Sequence, residues 1–181
     1  MLILEIQLES QNILLRPSTF MDCKLFAVWE EKEYVRRFFT INDNRNYEEI
    51  TREFIIRNEI PTNIQLTIIH KASLRPIGRI FLSKFNKYED SIDITRIYLG
   101  EEEFLRKGFG REALNLMVKY FFEVLKLERV TIDFFLDNKR AENLYISLGF
   151  KSEGIMRHVS KKNQSYIDLH LMSLLSHEYF S

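Results

Sequence analysis

From Leu2 to Arg16 apolar and polar positions alternate, with Leu4, Ile6 and Leu8 set against Glu5, Gln7 and Glu9. A period of two puts successive side chains on opposite faces of a strand, so the pattern predicts a strand that stops at Pro17. At Thr19-Phe20-Met21-Asp22 a hydroxyl is followed three places on by an acid, the pattern of a helix start. Phe26, Val28 and Trp29 give that helix an apolar face. A second helix is predicted from Tyr47 to about Asn58, where Ile50, Phe54 and Ile55 recur at helical spacing. The period then returns to two. Ile64, Leu66 and Ile68, then Ile77, Ile80 and Leu82, then Ile92, Ile94 and Ile97 mark three short β-rich runs. Lys71–Pro76 and Asn86–Asp90 between them are short enough for hairpin loops, which predicts a three-stranded antiparallel meander.

After Gly110 the period changes again. Ala113, Leu114, Met117, Val118, Phe121 and Leu125 lie on one face of an amphipathic helix, and Val130–Phe135 reads as the strand that follows it. A strand, a helix of about five turns and a further strand form a βαβ unit, whose strands should be parallel. A short helix from about Lys139 to Leu148 stops at Gly149, suited to a left-handed C-terminal cap. Phe150 to about Val159 and Tyr166 to Leu174 should close the chain as an antiparallel pair. The pattern as a whole is a mixed α/β sheet. No repeat, low-complexity block or Gly/Pro-rich linker divides residues 1–181, which read as one domain.

Composition narrows the function classes. The 181 residues carry 26 Lys and Arg against 26 Asp and Glu, so the formal net charge is zero. That balance argues against a dedicated nucleic-acid binder, which carries a basic surplus. One cysteine, Cys23, leaves no partner for an internal disulfide and no Cys-based zinc site. His70, His158, His170 and His177 lack metal-ligand spacing, so no metal is expected. No apolar run approaches the roughly 18 residues of a membrane helix, and the start lacks the cationic region of a signal peptide. A soluble, cytoplasmic protein without a membrane or nucleic-acid partner is the expectation.

The chemically informative stretch is Leu105-Arg106-Lys107-Gly108-Phe109-Gly110-Arg111, between a strand and a helix. Glycines let a backbone approach a ligand closely, helix-start N–H groups converge on anions, and Arg106, Lys107 and Arg111 add positive charge suited to phosphates. A Walker loop is absent, because no Gly-Lys is followed by Ser or Thr. A dinucleotide fingerprint is present in letters, as Gly108-x-Gly110-x-x-Ala113 with Asp133 about 20 residues further on. Its context differs, since that fingerprint turns directly off its strand and opens the fold. It stands as a rival reading.

The same stretch resembles the acetyl-CoA loop of the GCN5-related N-acetyltransferases (GNAT), Arg/Gln-x-x-Gly-x-Gly/Ala, with Leu105 in place of the usual Arg or Gln. Asp93-Ile94-Thr95-Arg96-Ile97-Tyr98-Leu99 looks like that family's central strand. Asn138-x-x-Ala141-x-x-Leu144-Tyr145-x-x-x-Gly149-Phe150 is similar to its later cofactor-side motif. The start, Ile13-Leu14-Leu15-Arg16-Pro17, and the end, Glu153-Gly154 through Tyr166-Ile167-Asp168 to Met172-Ser173, resemble the branch that acetylates ribosomal-protein N-termini and polyamines.

The resemblance implies a central twisted mixed sheet of about seven strands flanked by about four helices. It also implies direct transfer of an acetyl group from acetyl-CoA to a primary amine in a ternary complex. The acceptor would be a protein N-terminus, a polyamine or another small amine. Cofactor contacts are expected from Ile97, Tyr98 and Leu99 through the strand backbone, from Leu105 to Arg111 (Phe109 included), and from Asn138. Tyr145 is implied as proton donor to the leaving thiolate. An alkylammonium must lose a proton before it attacks, and Asp93 is the candidate base, acting through water. Trp29 with Glu30, Glu31 and Glu33 could alternatively rim a cationic amine, or form a solvated helix face. A non-catalytic acyl-CoA sensor on the same fold is the alternative function, and a β edge at the C-terminal hairpin is compatible with a homodimer.

Overall fold

The computed structural model describes residues 6–40 and 42–181. Among them the N-terminal alternation resolves into two strands, β1 (Leu8–Glu9) and β2 (Ile13–Pro17), paired antiparallel. One strand from Leu2 was expected; Leu2 to Glu5 lie outside the described residues. The chain reverses at Ser10-Gln11-Asn12, a polar segment with Ser and Asn suited to a turn, and the buried positions change from even (Ile6) to odd (Ile13, Leu15) across it. A carboxylate from far along the chain pins this turn: Glu112 Oε1 accepts from Ser10 Oγ at 2.7 Å and from the Asn12 N–H at 3.0 Å.

Thr19 and Asp22 do open a helical segment. The Asp22 carboxylate accepts the Thr19 N–H at 2.7 Å, but the first turn, Phe20–Asp22, is 3-10, and α1 runs Cys23–Glu31. A one-turn α2 (Glu33–Arg36) and α3 (Tyr47–Asn58) follow. The α3 start is a capping box, with Asn46 Oδ1 accepting the Glu49 N–H and Glu49 Oε2 accepting the Asn46 N–H, each at 2.9 Å. Two expected core positions face solvent instead. Val28 is 54% exposed and Ile55 44%, because Phe26 and Trp29, and Ile50 and Phe54, complete the buried stripes without them.

The meander is β3 (Ile64–His70), β4 (Arg75–Asn86) and β5 (Ser91–Leu99), all antiparallel. Helix α4 (Phe109–Lys119) passes into a π-helical turn, Tyr120–Val124, before β6 (Arg129–Phe135), which pairs parallel with β5. Helix α5 (Lys139–Ser147) ends at Gly149, whose φ of 93° is the left-handed cap expected there. Strands β7 (Lys151–Lys162) and β8 (Ser165–Leu175) pair antiparallel, and α6 (Ser176–Tyr179) closes the chain. Among the described residues the sheet has eight strands, in the order β1-β2-β3-β4-β5-β6-β8-β7. That is one more than the seven expected, the extra strand coming from the N-terminal hairpin. Four helices exceed two turns, as anticipated, and α2 and α6 are single turns.

The sheet buries a core on each face. Ile80, Leu82, Ile92, Ile94, Val130 and Ile132 pack with Ala113, Met117 and Phe121 of the α4 segment. On the other face Phe26, Trp29 and Phe54 of α1 and α3 pack around Tyr98. Gly100, just past β5, is where these layers meet most closely. A Cβ there would fall 2.1 Å from the Trp29 ring, so only glycine fits. Its carbonyl accepts from Lys32 Nζ and from Tyr34 Oη, both at 2.7 Å, which ties the end of β5 to the α1–α2 segment.

Candidate active site

The site begins with one extra residue in β5. Opposite β4, Leu82 pairs with Ile94 and the next residue, Phe81, pairs with Arg96, so Thr95 is a bulge. A bulge inverts which side chains face which way. Ile92 and Ile94 face α4, whereas Tyr98 joins the core under α1 and α3, and Ile97 and Leu99 pack on the α4 side. The parallel ladder to β6 stops at the same point, its last pair being Ile94 with Ile132. Beyond it β6 continues to Phe135 against β8 alone, so β5 and β6 part as a fork. A cleft of about 1070 Å³ occupies the fork.

Three elements bring expected residues to this cleft. From β5 come Ile97, Tyr98 and Leu99. The Tyr98 side chain turns away and donates to Glu30 Oε1 at 3.0 Å, which leaves the strand backbone as its contribution to the cleft. Burial and the Glu30 carboxylate push that hydroxyl well above its ordinary range. From the glycine loop come Leu105, Arg106, Gly108, Gly110 and Arg111. Gly108 has a φ of 89° and open space where a Cβ would stand, so the chain can turn into α4 while keeping its backbone accessible. The first bond of the α4 ladder is Glu112 N–H to Gly108 O, which leaves the N–H groups of Phe109, Gly110 and Arg111 ahead of it. Lys107 and the Phe109 ring are not brought to the cleft. Phe109 packs against His70 and Phe104, and Lys107 Nζ lies 5.9 Å from the centre of the Phe104 ring.

From α5 come Asn138 and Tyr145. Asn138 caps the helix, its Oδ1 accepting the Ala141 N–H at 3.2 Å. Tyr145 is only 6% exposed and packs edge-on to Phe134, with ring centres 5.4 Å apart. Burial, then the charge of Asp133, push its hydroxyl far above the ordinary phenol value. Such a group stays protonated at neutral pH, which suits a proton donor and not a base.

The structure does not bring Asp93 into the cleft. The residue is 6% exposed, and its carboxylate accepts from Thr95 Oγ1 and Thr131 Oγ1, both at 2.7 Å. It borders an adjoining recess of about 760 Å³ between the β4–β5 hairpin and β6. Arg96, its sequence neighbour, is committed elsewhere, to Glu30 and Glu53 at 3.3 Å each. The acidic rim around Trp29 does not form either. Trp29 is fully buried, donating Nε1–H to Glu101 at 2.9 Å, and Glu30 lies under the sheet between Arg79 and Arg96. Facing the fork instead are Tyr34, Phe38 and Phe39 from α2 and the loop after it, and Asp133 from β6. A Phe-Phe doublet in a loop has no periodic signal. Asp133 was visible only as the acid of the rival dinucleotide pattern.

The glycine loop, the fork and the capped α5 together fit a long thioester cofactor. Positive groups and helix N–H donors lie at one end, and the β5 backbone edge that β6 leaves unpaired runs along its length. The model for the acetyltransferase (GNAT) domain matches residues 12–151. The chain belongs to the GNAT acetyltransferase family. This displaces the dinucleotide reading, and the geometry agrees: Gly108 follows a separate 3-10 turn, Glu102–Phe104, and β5–β6 is the single parallel pair among the described residues.

The GNAT chain is 26% identical over 176 residues to an uncharacterized N-acetyltransferase of Bacillus subtilis, spanning 93% of this chain and 96% of that one. It is 26% identical over 162 residues to a spermidine N(1)-acetyltransferase of Vibrio cholerae, covering 83% and 92%. Among solved folds, the Vibrio cholerae spermidine N-acetyltransferase in complex with CoA and spermine superposes with a TM-score of 0.82 at 20% identity, covering 95% of this chain and 100% of that one. Among the described residues no cluster of His, Cys, Asp and Glu is arranged to hold a metal.

Proposed function

We propose that this acetyltransferase moves an acetyl group from acetyl-CoA directly to a primary amine of a small acceptor, with polyamines as the favoured class. The observation that carries the reading is the fork between β5 and β6, open beside the α4 N-terminus and walled by Tyr145. Arg106, Arg111 and the first N–H groups of α4 would hold the pyrophosphate, and the β6-facing backbone edge of Ile97 to Leu99 would take the pantetheine arm. Bound acetyl-CoA supplies an activated thioester. Tyr145 gives its proton to the departing sulfur, and holding both substrates in one cleft removes much of the entropic barrier. The polyamine preference draws support from the names of the spermidine-acetylating relatives. The aromatic wall of Tyr34, Phe38 and Phe39 suits the methylene segments and the ammonium groups of such an acceptor. The long outer strand β7, largely exposed, leaves room for a homodimer.

A thermal-shift titration with acetyl-CoA, CoA, NAD and ATP in parallel tests the cofactor half of this reading. A ligand at about 100 times its dissociation constant stabilises by about 2.7 kcal/mol, or roughly 5–10 °C for a chain of this size. The expected result is a shift with acetyl-CoA and CoA alone. A shift with NAD and none with CoA would overturn it.

A further inference from the structure

Asp133, on the β6 side of the fork, has no hydrogen-bond or salt-bridge partner among the described residues. It stands one residue past Ile132, the last β6 residue paired with β5, and it lines the cleft together with Tyr145. Its surroundings are set from every side. Asp93 of β5 pairs in register with Thr131 of β6 and places a second carboxylate beside it. Lys84 of β4 acts on it in the opposite sense, more weakly. Across the ladder its partner on β8 is Leu171, and Tyr145 approaches from α5. Two charged or titratable groups of β6 and β8 are engaged elsewhere. Arg129, four residues back on β6, is paired with Glu153 of β7, and His170 of β8 bonds Ser152 on the opposite face of the sheet.

Two acids in one site behave differently when one is solvated by hydrogen bonds and the other is not. Asp93 has both oxygens occupied by hydroxyl donors, from Thr95 and Thr131. Asp133 has no such bonds. Burial first, and the Asp93 charge second, raise it to about 6. A carboxylate in that position is a stronger proton acceptor than an exposed one, yet still ionised at neutral pH.

We propose that Asp133 is the general base for the acceptor amine and that Asp93 is a positioning residue acting through it. This rests on the acetyl-transfer reading above. The acceptor enters as an alkylammonium, and Asp133 takes one proton from it, directly or through one water, and passes it to solvent. The freed lone pair then forms the C–N bond while the C–S bond breaks. Tyr145 gives its proton to sulfur and recovers one from nitrogen, so the products are an amide, a free thiol and one released proton. Asp93 makes no contact with the substrate. Its charge keeps Asp133 basic, and the bulge at Thr95 that opens the fork also supplies one of the hydroxyls that hold Asp93.

The test is the pH profile of kcat/KM for acetylation of spermidine by the wild type, Asp133→Asn and Asp93→Asn, with a thermal melt and an acetyl-CoA shift for each to establish that it folds and binds. The wild type should lose activity as pH falls through about 6. Asp133→Asn should lose at least about a hundredfold at pH 7, recover partly in alkali where free amine accumulates, and lack the acidic limb. Asp93→Asn should lose less, with its acidic limb displaced toward the ordinary carboxylate range, a displacement that a purely structural role would not produce. A folded Asp133→Asn with wild-type turnover and an intact limb overturns the base. An Asp93→Asn limb left at its wild-type position overturns the coupling. A wild type that binds acetyl-CoA but acetylates no amine overturns the acetyl-transfer reading itself, and the base with it.

Discussion

Tyr145→Phe is expected to lower turnover by about 10² to 10⁴-fold while leaving acetyl-CoA affinity within about a factor of two. The argument is one of subtraction. The ring stays, with its edge-on contact to Phe134 and its packing against Phe150, so the apolar burial that fixes α5 survives. The hydroxyl alone is removed. Burial and the Asp133 charge are all that shift it, with no hydrogen-bonding group acting on it. The melting temperature should therefore stay near that of the wild type or rise slightly. A lost proton donor lowers kcat and kcat/KM together, since its contribution exists only as the thiolate leaves. Steady-state kinetics with calorimetric binding of CoA checks this. Turnover within twofold of wild type would reduce Tyr145 to a core residue.

The second large effect is on stability. Glu30, carried by α1, accepts from Arg79 Nη1 at 2.9 Å, from Arg96 Nη1 at 3.3 Å and from Tyr98 Oη at 3.0 Å, all of them buried. Arg79 is further fixed by Gln65 at 2.7 Å and lies 4.2 Å from the centre of the Phe26 ring. Glu53 of α3 joins the same network through Arg45, Arg57 and Arg96. Glu30→Ala would leave the buried Arg79 guanidinium without its carboxylate and Arg96 with Glu53 alone. Breaking such a pair costs about 3–5 kcal/mol, a fall in Tm of roughly 10 °C for this length. Glu30→Gln keeps an acceptor oxygen and should lose less.

The network also sets an acid limit. Burial alone would raise the Glu53 carboxyl, but the surrounding arginines outweigh it and hold it at about 2. Its stabilising contribution is therefore complete above the ordinary carboxylate range and is lost as pH falls toward 2. Calorimetric melts of Glu30→Ala and Glu30→Gln at neutral pH measure the effect. A Tm within about 2 °C of the wild type for Glu30→Ala would mean that the network contributes nothing net.

Periodicity carried most of the architecture and little of the electrostatics. The meander, the α4 face and the Gly149 stop were readable because each depends on local spacing and burial. The β1–β2 reversal is marked only by the polar run Glu9-Ser10-Gln11-Asn12, after which the apolar series moves from even positions (Ile6, Leu8) to odd ones (Ile13, Leu15), and a reading as one alternating strand passes over it. Glu30 read as part of a solvated acidic run because nothing local shows that Arg79 and Arg96, on two other strands, converge on it. Asp93 looked like the acid nearest the chemistry because its strand is the right one. A single inserted residue, Thr95, decides where the fork opens, and the adjacent strand, not β5, carries the carboxylate that faces the opening.

Incubation of the purified protein with acetyl-CoA and a panel of primary amines, with free thiol and acceptor mass both followed, tests the central claim most directly. The account predicts stoichiometric release of CoA and an acceptor heavier by one acetyl group, strongest for spermidine or spermine. It also predicts that at neutral pH the activity falls at least about a hundredfold in Tyr145→Phe and in Asp133→Asn. Tight binding of acetyl-CoA with no acetylated product from any amine would contradict the account and leave a cofactor-binding protein on an acetyltransferase fold.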